Sequence, residues 1–217
     1  MKAGNDMMSE ERQFQILQNW FSPAFPIGAF SYSHGLESAI YHGVVTDKVS
    51  LQSWIDCLLR QGASRNDIIF ITAAYRGEDV NQLCLALSAG RERFQETTEL
   101  GRAFTQIMRT SCELAMPDGL AYPVAVGGAA QQMGLDVSKT ALAYLQGFCT
   151  NLISVAVRSI PIGQGDGQQC LMALLPVIEE VCADFMHLTI DDVGGFALAA
   201  DIYSLQHETA EQRIYRT

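Results

Sequence analysis

A chain of 217 residues can bury one well-packed core and has little length for two. Its formal net charge is −10 and its only lysines are Lys2, Lys48 and Lys139. That excludes a nucleic-acid backbone as partner, because phosphates are neutralised by clustered Lys and Arg.

Residues 1–11 are polar and mixed in charge, without the apolar stretch of a secretory leader, and residues 1 to about 10 read as a separable end. No run of about 18 uninterrupted apolar residues exists to span a bilayer, so no membrane role and a cytoplasmic location are expected. Residues 25–37, Phe-Pro-Ile-Gly-Ala-Phe-Ser-Tyr-Ser-His-Gly-Leu-Glu, break the helical pattern. Pro26 removes a backbone donor, and Gly28 and Gly35 permit conformations that other residues avoid. The segment is expected to be a shaped turn leading into a helix, with Phe30, Tyr32 and His34 held at defined angles. Its aromatics serve either to fill core or to shape a functional surface. Glu37, three residues after His34, shares its face if the helix has begun there, and either orients the imidazole or caps.

Leu51, Trp54, Ile55, Leu58 and Leu59 follow helical spacing, with Asp47 as the expected N-cap. The β-branched stretch 67–75 is bracketed by helix and is assigned to helix. Asp79 and Ser138 are the N-caps expected for two later runs. The charged patch 91–99 is expected to be the solvated face of a helix continuing to Met116. The Gly/Ala-rich segment 120–133 lets helix backbones approach closely and is placed at the centre of the bundle. Leu142, Leu145, Phe148, Cys149, Leu152, Ile153 and Val157 define a helix ended by Pro161, and Leu171 to Phe185 define another. From about His207 the chain is charged and alternates polar with apolar residues, too short and too charged to pack alone, so residues 207–217 are expected to be a docking tail. The sum is an all-α, single-domain helical bundle of roughly eight to ten helices spanning residues 1–217.

Little in this pattern suggests autonomous chemistry. Gly163-Gln164-Gly165-Asp166-Gly167 lacks the spacing and the lysine of a phosphate loop, and is expected to be a connection that starts a helix. The six cysteines never form C-x-x-C and sit mostly at apolar helical positions, as reduced core residues do. None of His34, His42, His187 and His207 has a His or Cys partner three or four residues away, so no preassembled metal site is expected. A weak or shared nickel site at an interface stays open. Ser31 and Ser33 have no evident base. Arg158 either complements a helix C-terminus or anchors the glycine loop or a partner. The alternative to a binding protein is a helical enzyme with a polar pocket built from His34, Glu37 and His207.

The run 25–37 resembles the N-terminal signature of the urease accessory protein UreF family. Residues 151–169, a helix end followed by Pro-x-Gly-Gln, are similar to that family's second block, and 201–208 with 213–217 to its third. Two positions depart from the pattern: Phe94, where arginine is expected, and Ala200, where proline often precedes the aspartate. The resemblance implies a non-catalytic assembly factor for the nickel centre of urease. It would bridge UreD (UreH in some organisms) and the GTPase UreG, act on apo-urease, and form a homodimer. It implies no tightly bound cofactor, nickel being handled by the complex. It also implies partner-facing roles for Phe30, Tyr32, His34, Glu37, Arg158, Gln164, His207, Glu208, Arg213 and Tyr215.

Overall fold

A computed structural model describes residues 8–195 and 197–216. The first seven residues, most of the expected flexible end, lie outside it. Among the described residues the chain forms ten α-helices, two short 3₁₀ turns and no strand. They are α1 (Glu10–Trp20), α2 (Leu36–Tyr41), α3 (Lys48–Gln61), α4 (Ala63–Tyr75), α5 (Asn81–Ala86), α6 (Arg91–Cys112), α7 (Tyr122–Met133), α8 (Val137–Ser159), α9 (Gln164–Phe185) and α10 (Leu198–His207).

The starts of α1, α3 and α8 follow from N-cap side chains that accept free amides of the first turn. Ser9 accepts from Arg12 N at the head of α1. Asp47 and Ser50 form a reciprocal capping box on α3, as expected for Asp47. Two expected caps sit elsewhere. Asp136, not Ser138, caps α8 by accepting from Lys139 N at 2.9 Å, so the helix begins earlier than its apolar run. Asp79 lies just before Val80, the N-cap of α5, where no side-chain cap bond is made. At the other end of α6, Glu113 enters the left-handed region (φ 55°) and stops the helix short of Met116.

α4 and α7 pack face to face at the centre. Their backbones meet because Gly127 has no side chain: a Cβ there would lie 2.3 Å from the Ile71 carbonyl oxygen. α3, α8 and α9 pack against α4, and α6 and α8 against α7. α8 is long and apolar enough to cross a bilayer by length and composition, but half of its apolar window is buried inside the body. Leu145, Cys149, Leu152, Val155 and Ala156 have no exposed surface, which makes α8 a core helix.

α6 departs most from expectation. Its charged N-terminal half is not a solvated face: Glu92 and Glu96 are 4% and 3% exposed. Charges are buried only with partners, and those partners arrive from α10, the turn before α2 and the C-terminal tail.

Candidate functional site

The turn ahead of α2 is built from backbone outward. Gly28 takes φ 78°, a 3₁₀ turn follows at Ala29–Ser31, and the Ser31 hydroxyl donates to Gly28 O at 2.8 Å. His34 and Gly35 then occupy the left-handed region in succession, at φ 52° and 74°. Gly35 is required on two counts, since a Cβ would also lie 2.8 Å from Ala200 O and 2.9 Å from Ser204 N of α10. This double reversal aims Tyr32, His34 and Glu37 at separate targets.

Those targets are on α6 and α10. Glu92, Glu96 and Glu99 of α6 recur at i, i+4 and i+7 and so form one acidic stripe. Tyr32 donates its hydroxyl to Glu99 at 2.8 Å, and Arg216 binds the same carboxylate at 2.6 Å. His34 Nε2 lies 3.0 Å from Glu96, which also pairs with Arg93. Arg93 also lies 2.8 Å from His34 Nδ1. Glu92 takes His207 Nδ1 at 2.9 Å and Arg213 at 2.9 Å. His207, 1% exposed, presents Nε2 to Glu37 at 2.9 Å. Glu37 also accepts the backbone amides of Ile214 and Tyr215, at 2.8 and 2.9 Å.

The electrostatics follow from that arrangement. Burial by itself raises the Glu96 carboxyl, but Arg93 and His34 outweigh it and bring it down to about 2. Asp67, half-buried beside the same cluster, goes the other way: burial raises it over the opposing pull of Arg93, the Tyr144 hydroxyl and His34. Burial and the bond to Glu99 push the Tyr32 hydroxyl well up. Gln95, Tyr32 and Arg216 hold the Glu99 carboxyl below its usual range.

Several expected site residues meet here, though in different pairings. His34 and Glu37 do not orient one another: the left-handed turn at 34–35 sends His34 to Glu96 and leaves Glu37 for His207. The residues of the alternative enzyme pocket are therefore split. His34 lines a cavity of about 320 Å³, whereas Glu37 and His207 are not among its walls. Glu208 caps α6 from a distance, accepting from Arg91 N at 2.7 Å. The tail, expected not to pack alone, is seated on the body. Tyr215 is 6% exposed, the Arg158 guanidinium sits 5.2 Å from its ring centroid, and Arg216 N donates to Ser31 O at 2.7 Å. Charge made the tail look solvated, and the same charges fasten it to the acidic stripe. Arg158 bonds its own helix at Ser154 O and stacks on Tyr215, and does not bind the glycine loop. Phe30 (60% exposed) and the exposed Gln164 lie on the cavity lining and take no part in the ion pairs.

Sequence reasoning missed Glu92, Arg93, Glu96, Glu99, Asp67 and Tyr144. The only available signal was the acidic i, i+4, i+7 spacing, which a solvated helix shows equally well. Among the described residues no three His, Cys, Asp or Glu side chains are disposed to hold a metal ion. His42 and His187 each turn Nδ1 to a carbonyl of the chain four residues earlier, Ser38 O at 2.8 Å and Ala183 O at 3.1 Å.

A sequence model of the UreF family matches residues 45–175. That span takes in the second sequence block and leaves the turn at 25–37 and the tail outside. Among curated relatives, the urease accessory protein UreF of Cereibacter sphaeroides strain KD131 is 43% identical over 204 residues, covering 93% of this chain and 97% of the relative. That of Ruegeria pomeroyi is 40% identical over 218 residues, 95% and 98% of the two chains. Urease accessory protein UreF 1 of Brucella canis is 38% identical over 211 residues, 93% and 92%.

Proposed function

This chain belongs to the UreF family of urease accessory proteins, and on that premise we propose that it is a non-catalytic assembly factor bridging UreD (UreH) and the GTPase UreG on apo-urease. In this reading UreG hydrolyses GTP, nickel is the cargo of the complex, and the present chain works in the cytoplasm as a homodimer. The observation that carries it is identity near 40% along more than nine tenths of both chains with relatives so named. Uncovered apolar surface supports it. Leu198, Ile202 and Leu205 form an i, i+4, i+7 stripe along α10, 60%, 43% and 51% exposed, and Tyr41 and Ile214 are 86% and 83% exposed. Ile214 stands on the tail that the acidic stripe holds in place, which supports a partner-facing role for the tail.

The test is co-purification of the tagged chain from cells expressing urease and its accessory proteins, with urease activity as the second readout. Full-length protein is expected to bring down UreD and UreG and to activate urease. Removing residues 212–217 spares His207 and should leave the helical fold intact while weakening UreD capture and activation. Recovery of neither partner by the full-length chain overturns the bridging reading. Unchanged capture and activation by the truncated chain overturns the role given to the tail.

A further inference from the structure

The cavity beside the ion-pair cluster has features that the assembly reading leaves unused. It measures about 320 Å³ and opens between the 21–30 loop, α6 and α8. Its walls are aromatic, formed by Trp20, Phe21, Phe25, Tyr122, Tyr144 and Phe148. Several of these hold one another edge-on: Phe21 meets Tyr144 at 5.9 Å and 83°. A cavity of about 150 Å³ admits benzene, so this one has room for a single ring with a short chain attached.

One end of the cavity is polar, with Arg93, His34, Glu96 and Asp67 on its lining. Arg93 and His34 are both engaged by Glu96. Asp67, on α4, also faces the cavity, and its Oδ2 accepts the Tyr144 hydroxyl at 2.7 Å. Among the described residues it makes no ion pair. Arg93 pulls on this half-buried carboxyl from beyond ion-pair distance, and no cation touches it to compensate its desolvation. Aromatic faces attract cations as well, and Tyr122 and Tyr144 stand next to this carboxyl.

We propose that the cavity is a binding site for a compact organic amine, with its ammonium head against Asp67 and its apolar body between the aromatic walls. Size selects the body and the unmatched carboxyl selects the head. The upward displacement of Asp67 by burial agrees, because a bound cation would relieve that penalty. The site goes beyond the assembly role, and its test needs no urease component.

Phenethylamine is titrated into the purified full-length chain beside its neutral analogue 2-phenylethanol and its acidic analogue 3-phenylpropionate. Trp20 emission in a Trp54→Phe background is the readout, since Trp20 lines the cavity and these are the only two tryptophans. The amine is expected to saturate with a Kd at or below about 1 mM. The alcohol and the acid should bind at least about tenfold more weakly. Asp67→Asn should remove the preference for the amine over the alcohol. Ser154→Phe, at an exposed position on the cavity lining, should block all three, and it decides the matter if Asp67→Asn fails to fold. Three results overturn the proposal: no saturation by the amine up to about 10 mM, alcohol or acid binding within about threefold of the amine, or amine affinity unchanged by Ser154→Phe or by folded Asp67→Asn.

Discussion

Glu96→Gln isolates what the buried ion pairs contribute. Glu96 is 3% exposed and is held by Arg93 and His34, which bring its carboxyl from 4.5 down to about 2 despite burial. A group whose pKa is depressed on folding contributes stability that is complete above its unfolded value and lost as pH falls through its folded one. At about 1.36 kcal/mol per pH unit, that contribution is roughly 3 kcal/mol at neutral pH and falls to roughly 2 kcal/mol at about pH 3.5. The substituted amide keeps the shape and removes the charge, and it also leaves Arg93 buried without a carboxylate in contact. Urea unfolding at neutral pH should therefore place the variant about 3 kcal/mol below the parent. The gap should narrow by about 1 kcal/mol at about pH 3.5, because other carboxylates titrate alike in both proteins. A gap under about 1 kcal/mol at neutral pH, or one that does not change with pH, would refute the electrostatic account of α6.

Glu37→Ala removes the acceptor of two tail amides and one of the two carboxylates around His207. It should cost roughly 1–3 kcal/mol. Amide exchange at Ile214 and Tyr215 should accelerate well beyond that of the core helices, and unchanged exchange would mean that the tail is held elsewhere. Gly35→Ala must adopt φ 74° with its Cβ 2.8 Å from the Ala200 carbonyl. A loss above about 2 kcal/mol is expected in chemical denaturation. Native-state thiol labelling should reach the exposed Cys57 before the buried Cys84, Cys149, Cys170 and Cys182, even though burial and Asp56 raise its thiol. Cys149 and Cys182, whose thiols burial pushes up (Cys182 to about 12), should react only on unfolding.

Local chemistry was legible in the chain itself. The 3.6-residue recurrence of Leu51, Trp54, Ile55, Leu58 and Leu59 becomes the buried face of α3, because helical periodicity involves only neighbours within two turns. The Gly/Ala run became the central α7 because small residues let its backbone approach α4. The turn at 25–37 was visible as a break in that pattern, and three ordered blocks pointed to the UreF family. Pairings were not legible. His207 lies between Glu37, 170 residues away, and Glu92, 115 residues away. A charged run with no apolar spacing, such as 91–99, looks solvated when its partners are that distant in sequence. The seating of the tail, the burial of the acidic stripe and the carboxyl facing the aromatic cavity were decided only by tertiary structure. A charge is stable in the interior when opposite charges meet it in space, and sequence distance carries no record of that meeting.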